Sequence, residues 1–203
     1  MFSFRSRALL FVVLASAICT AASAKAQFYK LHQADIAVSG TGQFTTAVTD
    51  GNGNHLQTTD STGFLLSAQE HPVAWAGVET NFGFNRFTEK FITQGNTASL
   101  TAPVNVYEAT AAYMFHPHFR RFQPFVNVGG GALDFTPNAG ANQWRGTGLV
   151  ETGFDIPTSN RHFGFRVQGR ALIYRGPNFD NSTVGTGKWV VTAEPSLGAF
   201  VRF

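Results

Sequence analysis

The clearest pattern of apolar and polar positions lies in the segment that ends the sequence, residues 189–203. Every second residue from Trp189 to Phe203 is apolar, whereas the intervening positions include Glu194 and Arg202. Because successive side chains of a β-strand point to opposite faces, this alternation predicts a strand with one apolar and one polar face. The apolar face is expected to lie against lipid or, in a soluble sandwich or lipocalin-like barrel, against a protein core.

The same two-residue period recurs along the chain, so the sequence predicts eight strands and an all-β fold. Their approximate ranges are 34–45, 62–69, 73–84, 105–115, 122–133, 148–156, 163–174 and 189–203. The faces of the fifth strand are ambiguous, because Val126 and Val128 predict one outward face that leaves Phe125 and Leu133 pointing inward. The glycines at 129–131 could hold a bulge that exchanges the two faces.

The connections between these strands alternate in length. Short connections are predicted at 70–72, 116–121 and 157–161, and longer polar ones at 46–61, 85–104, 134–147 and 175–188. This alternation indicates an up-and-down barrel in which the first strand pairs with the last and both termini lie at the end with the short turns. Regular alternation of this kind would be a coincidence in a soluble sandwich.

The N-terminal segment has the three parts of a secretory signal peptide. Arg5 and Arg7 precede an apolar run at 8–17, and small residues follow at 21–26. The apolar run is shorter than the ~20 residues that a membrane-spanning helix needs. The predicted organisation is a signal peptide at 1–26, cleaved after Ala26 or Ala24, a short linker at 27–33 and a β-barrel at 34–203.

Composition and charge narrow the classes of function. Charged residues make up 13% of the chain, about half the usual share of a soluble protein. Three of the 15 basic residues, Arg5, Arg7 and Lys25, lie in the predicted signal peptide, which leaves as many basic as acidic residues in the remaining chain. A nucleic-acid partner is therefore not expected. Cys19 also lies in that segment, so no disulfide is expected in the cleaved chain.

Together these features resemble the small outer-membrane β-barrel family, the OmpA/OmpX-like eight-stranded barrels. The resemblance rests on the signal peptide, the alternating strands, the segment Pro-Phe-Val-Asn-Val-Gly-Gly-Gly at 124–131 and the terminal Pro-Ser-Leu-Gly-Ala-Phe-Val-Arg-Phe at 195–203. It implies an eight-stranded antiparallel up-and-down transmembrane β-barrel in the bacterial outer membrane. In that family the terminal strand is the signal for the barrel-assembly machinery, which here implies a role for Leu197, Ala199, Val201 and Phe203.

The resemblance also implies partners. Outer-membrane lipid and lipopolysaccharide are expected around the barrel, and periplasmic chaperones are expected to act during its biogenesis. The barrel itself is expected to be a monomer. Aromatic residues near the strand ends are predicted to form girdles at the two membrane interfaces: Trp75, Tyr107, Tyr113, Phe115, Phe163, Tyr174 and Trp189.

The polar faces of the predicted strands collect charged residues in the lumen. This predicted network comprises Asp35, Glu79, Glu108, Glu151, Asp155, Arg166, Arg170, Glu194 and Arg202. Side chains can fill the interior of an eight-stranded barrel, and buried charges are costly unless they are paired. We therefore predict that Arg166 or Arg170 forms a buried ion pair with Glu151 or Glu194, which lie on the neighbouring strands.

These observations favour a structural or surface-interaction protein with a filled lumen and four outer loops. A narrow channel for small solutes is the alternative, and a lipid A-modifying enzyme is a third hypothesis with less support. No compelling Ser–His pair is present, because His162 falls at the wrong end of its strand and His55 lies in a polar loop. No cofactor or metal is expected, since His116 and His118 offer only two ligands and His71 lies in a similar predicted turn.

Overall fold

The structure is a computed structural model, and it describes residues 33–51, 53–73, 75–92, 99–117, 123–138, 140–159, 162–179 and 186–203. Within these ranges the regular elements are ten β-strands: β1 Gln33–Thr45, β2 Val48–Thr49, β3 His55–Thr58, β4 Ser61–Val73, β5 Ala76–Ile92, β6 Ser99–Phe115, β7 Gln123–Pro137, β8 Gln143–Pro157, β9 Phe163–Arg175 and β10 Trp189–Arg202. No helix in these ranges is long and apolar enough to span a membrane. The predicted signal peptide and most of the predicted linker lie outside the described residues.

Eight of the strands close into an antiparallel barrel. Each long strand pairs with the long strand that follows it, and β1 closes the ring by pairing with β10. Asp35 lies opposite Arg202 in this last pairing, and the backbone N–H of Phe203 donates to the carbonyl of Ala34 at 2.8 Å. Closure gives each of the eight long strands a partner on both sides, whereas β2 pairs only with β3. The predicted eight-stranded fold and its pairing of the first and last strands are confirmed.

The barrel faces follow the sequence alternation, including the strand whose faces were ambiguous. Val126 and Val128 are 47% and 58% exposed on the outside, whereas Phe125 and Leu133 are 1% and 2% exposed in the lumen. The register of β7 with both neighbours runs without a shift. The hypothesis of a bulge at 129–131 is therefore wrong. The glycines serve a close approach instead, since a Cβ at Gly129 would lie 2.1 Å from the carbonyl oxygen of Ala111.

Two predicted connections are strand in the structure. The predicted turn at 70–72 is wrong, because His71 and Pro72 belong to β4, which ends at Val73. The predicted outer loop at 85–104 is also wrong, since β5 continues to Ile92 and β6 begins at Ser99. The first predicted loop, 46–61, contains β2 and β3, and the loop at 134–147 shortens because β7 reaches Pro137.

The extension of β5 has a simple physical reason. Up to Phe84 its outward residues are mostly apolar, but beyond it Arg86, Thr88 and Lys90 face outward and Phe87 and Phe91 face inward. The two-residue period thus continues while the apolar side moves from the outside to the lumen. A search for outward apolar residues ends at this exchange, although the strand does not.

The two ends of the barrel carry different structures. We call the end where β1 begins and β10 ends the terminal end, and the opposite end the loop end. Outward aromatic rings lie near the terminal end at Trp75, Tyr113, Phe115 and Phe163, and towards the loop end at Tyr107 and Trp189. The prediction that Tyr174 belongs to an aromatic girdle is wrong. This residue is buried in the lumen, and its hydroxyl lies 3.0 Å from that of Thr192.

Candidate functional site in the barrel lumen

The inward side chains form three successive zones between the two ends of the barrel. The terminal-end layer contains Asp35, Asp155, Arg166 and Arg202, and the central layer contains Glu79, Glu108, Glu151, Arg170 and Glu194. The apolar cap, at the loop end, comprises Leu56, Phe87, Phe91, Val104, Val106, Leu133, Phe135, Leu149, Leu172, Tyr174 and Val190. The structure thus places all nine charged residues of the sequence prediction in the lumen. The cap was missed.

The terminal-end layer pairs two arginines with two aspartates. Arg166 makes a bidentate contact with Asp155, with Nε–Oδ1 and Nη2–Oδ2 distances of 2.7 and 2.9 Å. Arg202 donates to Asp35 at 2.8 Å and lies 3.6 Å from Asp155. Asp35 also lies 3.7 Å from Arg166. These positive and negative charges are equal in number, and each arginine contacts both carboxylates.

Two aromatic rings complete the surroundings of Arg166. Its guanidinium carbon lies 5.5 Å from the ring centre of Phe125 and 5.4 Å from that of Phe200. A guanidinium is attracted to an aromatic face, more strongly when both groups are desolvated. The arginine is consequently held by apolar as well as charged partners.

Two histidines that the sequence placed in separate turns meet at the terminal end. The rings of His71 and His116 are 5.2 Å apart, and His71 Nε2 lies 3.7 Å from Asp35 Oδ1. His118, the other candidate ligand in the sequence, lies outside the described residues. Among the residues that are described, no group of three His, Cys, Asp or Glu side chains is arranged to hold a metal ion.

The central layer is organised around Arg170. Its guanidinium contacts Glu108, Glu151 at 3.3 Å and Glu194 at 2.8 Å, so that β6, β8 and β10 are joined through one side chain of β9. The expected buried ion pair of an arginine with Glu151 or Glu194 is therefore present, and it involves both glutamates. Glu108 approaches from the far wall of the lumen, because β7 and β8 separate its strand from β9.

Glu79, the remaining carboxylate of the central layer, is surrounded by amides. It accepts hydrogen bonds from Gln69, from Asn81 at 2.6 Å and from Asn127 at 3.1 Å. Its carboxyl group also lies next to that of Glu151. Neutral amides satisfy the oxygen atoms of a carboxylate but do not neutralise its charge.

The apolar cap is built from strands and connections together. Phe87 packs edge-on against Phe135, with ring centres 6.4 Å apart, and β3 contributes Leu56 from the first long connection. Phe179, in the connection between β9 and β10, packs edge-on against Phe91 at 6.1 Å. Phe179 holds a positive φ of 48°, a backbone conformation that is costly for a residue with a side chain. Its ring contact with Phe91 offsets part of that cost.

The four terminal residues that the resemblance assigned to assembly share the outward face of β10. Leu197, Val201 and Phe203 are exposed, and Ala199 is partly exposed. Glu194 and Phe200 occupy the opposite face and are buried in the lumen. The alternation predicted for this strand is confirmed.

These features define the fold of the small outer-membrane β-barrels. No family model and no curated protein matches the chain. Among solved structures, the outer membrane protein OprG from Pseudomonas aeruginosa is similar, with 16% identity, a TM-score of 0.56 and coverage of 86% of this chain and 97% of OprG. Neisserial surface protein A is similar with 12% identity, a TM-score of 0.55 and coverage of 86% of this chain and 100% of the other. The likeness lies in the fold.

Proposed function

We propose that the protein is an outer-membrane barrel of a double-membrane bacterium with a structural or surface-interaction role and a lumen that does not conduct. The outward face of the barrel supports the membrane location. Large apolar side chains such as Val38, Val128 and Leu197 are exposed along it, and exposed apolar area of this extent is unfavourable in water. The signal peptide expected at 1–26 supports export to that membrane.

The main support for a closed lumen is the burial of its charged side chains. Glu79, Asp155, Arg166 and Glu194 each have 0% relative exposure. Side chains that line a water-filled channel are accessible to solvent, whereas these contact one another or the amides and rings around them. Above them the apolar cap closes the loop end. A filled interior is within the reach of an eight-stranded barrel.

The surface available for interaction lies at the loop end. The continuations of β5 and β6 pair beyond the outward rings of Phe84 and Tyr107, and β3 adds to them through β5. Arg86 and Lys90 face outward on this extension and are exposed. Their position and charge suit the phosphates of outer-leaflet lipid or lipopolysaccharide. With this end outside, the terminal end of the barrel, where β10 ends, is expected to face the periplasm.

Conductance in planar bilayers tests the closed lumen. Purified protein reconstituted without lipopolysaccharide is expected to show no steady unitary currents, because the charged layers and the apolar cap fill the lumen with buried side chains. A porin added afterwards to the same bilayer verifies that inserted barrels would have been detected. Reproducible open-channel currents from the wild-type protein would contradict the proposal and favour a channel for small solutes.

A further inference from the structure

The central layer contains more negative than positive groups. Glu108, Glu151 and Glu194 share Arg170, and Glu79 is hydrogen-bonded to neutral amides, whereas the two aspartates of the terminal-end layer share two arginines. Glu79 and Glu194 are 0% exposed and Glu151 is 1% exposed. Buried carboxylates without compensation are strongly disfavoured. The layer therefore requires a further positive charge or the protonation of some of its carboxyl groups.

Three side chains identify where that positive charge would bind. Asn127 on β7 and Glu151 on β8 are register partners, so their side chains emerge next to each other on the lumen face. Glu79 meets both of them from β5, through the hydrogen bond from Asn127 and the contact with Glu151. Oδ1 of Asn127 and Oε1 of Glu151 are buried and have no hydrogen-bond partner among the described residues. Beside Glu79, Asn127 and Glu151 thus each have one buried side-chain oxygen without a hydrogen-bond partner among the described residues.

We propose that Glu79, Asn127 and Glu151 form a binding site for a calcium ion inside the barrel. Carboxylate and carboxamide oxygens are hard ligands, which suit Ca²⁺ rather than the metals that prefer nitrogen or sulfur. Ca²⁺ accepts irregular arrangements of oxygen ligands, whereas Mg²⁺ requires a near-octahedral set. The site has two carboxylates and one carboxamide, which distinguishes it from a cluster of three His, Cys, Asp or Glu.

A shared proton is the competing explanation for the contact between the two glutamates. Two carboxyl groups at hydrogen-bonding distance can hold one proton between them. Such a proton accounts for the contact of Glu79 with Glu151, but it leaves Oδ1 of Asn127 without a partner. Of the two explanations, only the calcium site predicts that the protein binds Ca²⁺ and is stabilised by it.

The test is Ca²⁺ retention by the full barrel. Protein is refolded into phosphatidylcholine vesicles with a chelator or with millimolar Ca²⁺, free ion is removed, and bound calcium and the urea midpoint of unfolding are measured. We expect equimolar retained calcium and a midpoint that rises with the logarithm of the Ca²⁺ concentration present during unfolding. Absence of both responses in the wild-type protein would overturn the proposal and favour the shared proton.

Variants locate the site. Glu151→Gln keeps the shape of the side chain and is expected to weaken Ca²⁺ binding at least about tenfold, because it removes a charged ligand. Asp155→Asn, on the same strand and the same face, is the matched control and should retain calcium. Asn127→Asp is expected to bind Ca²⁺ more tightly than the wild type, which a merely misfolded variant would not do. Calcium retained by Glu151→Gln, or lost equally in Asp155→Asn, refutes the assignment.

Discussion

Arg166 and Arg170 lie four residues apart on β9 and point into the same lumen, yet their electrostatic surroundings differ. Arg166 contacts Asp155 and Asp35, and both aspartates also contact Arg202. Arg170 alone contacts Glu108, Glu151 and Glu194, as far as the described residues show. The terminal-end layer is thus neutral when its groups carry their ordinary charges, whereas the central layer is negative.

This difference shows that equal burial does not give equal energetic roles. In the terminal-end layer, the loss of either carboxylate leaves a buried arginine with too little negative charge. In the central layer, the loss of one carboxylate removes its repulsion with the other carboxylates. The loss of Arg170 removes the positive charge that offsets the repulsion among them. The two layers should therefore respond differently to the same type of substitution.

The largest effect is expected from Arg170→Met. This change leaves three buried carboxylates, Glu108, Glu151 and Glu194, without their arginine and should lower the free energy of unfolding by about 3–5 kcal/mol. Arg166→Met should cost less, because Arg202 remains 2.8 Å from Asp35 and 3.6 Å from Asp155. Urea unfolding of both variants in phosphatidylcholine vesicles, with a chelator present, measures the difference. A larger loss for Arg166→Met would contradict the distinction between the layers.

The facing of these residues was predictable from the sequence, but most of their contacts were not. The two-residue period gave Glu151, Arg166, Arg170 and Glu194 their inward positions, and the order of an up-and-down barrel made their strands neighbours. The contact between Glu108 and Arg170 crosses the lumen between strands that do not pair. It depends on the width of the closed barrel and the stagger of its strands, which a linear pattern does not contain.

The apolar cap escaped prediction for a different reason. The apolar residues of a membrane barrel are expected on its outside. Beyond Phe84, however, the aromatic residues of β5 lie on its inward face, so that Phe87 and Phe91 point into the lumen. The alternation itself was visible in Arg86 and Lys90 on the other face. The pairing of β3 with β5 has no comparable local signal, because it joins segments more than thirty residues apart in the sequence.

A second, smaller effect is expected from Asp155→Asn. The amide keeps the size of the side chain but removes the charge that Arg166 contacts through two hydrogen bonds. A hydrogen bond to a charged group contributes about 1.5–3 kcal/mol to stability, so the free energy of unfolding is expected to fall by an amount of that order. The measurement is again urea unfolding with chelator. A variant as stable as the wild type would show that the arginine is already satisfied by Asp35 and the rings.

The smallest effect is expected from Glu151→Gln, which is the same chemical change four residues earlier on β8. The amide oxygen can still accept from Arg170, and its N–H group can donate to Glu79, where the wild type has two carboxyl groups in contact. Lost attraction to Arg170 is therefore offset by relief of repulsion within the negative layer.

With chelator present, the free energy of unfolding of Glu151→Gln should lie within about 1 kcal/mol of the wild type, since one polar contact replaces another. This value has to be compared with that of Asp155→Asn, because both variants change a buried carboxylate to its amide on the same face of one strand. A loss for Glu151→Gln as large as that for Asp155→Asn would mean that the central layer behaves as a neutral one. In that case the excess negative charge of the layer is already compensated by protons.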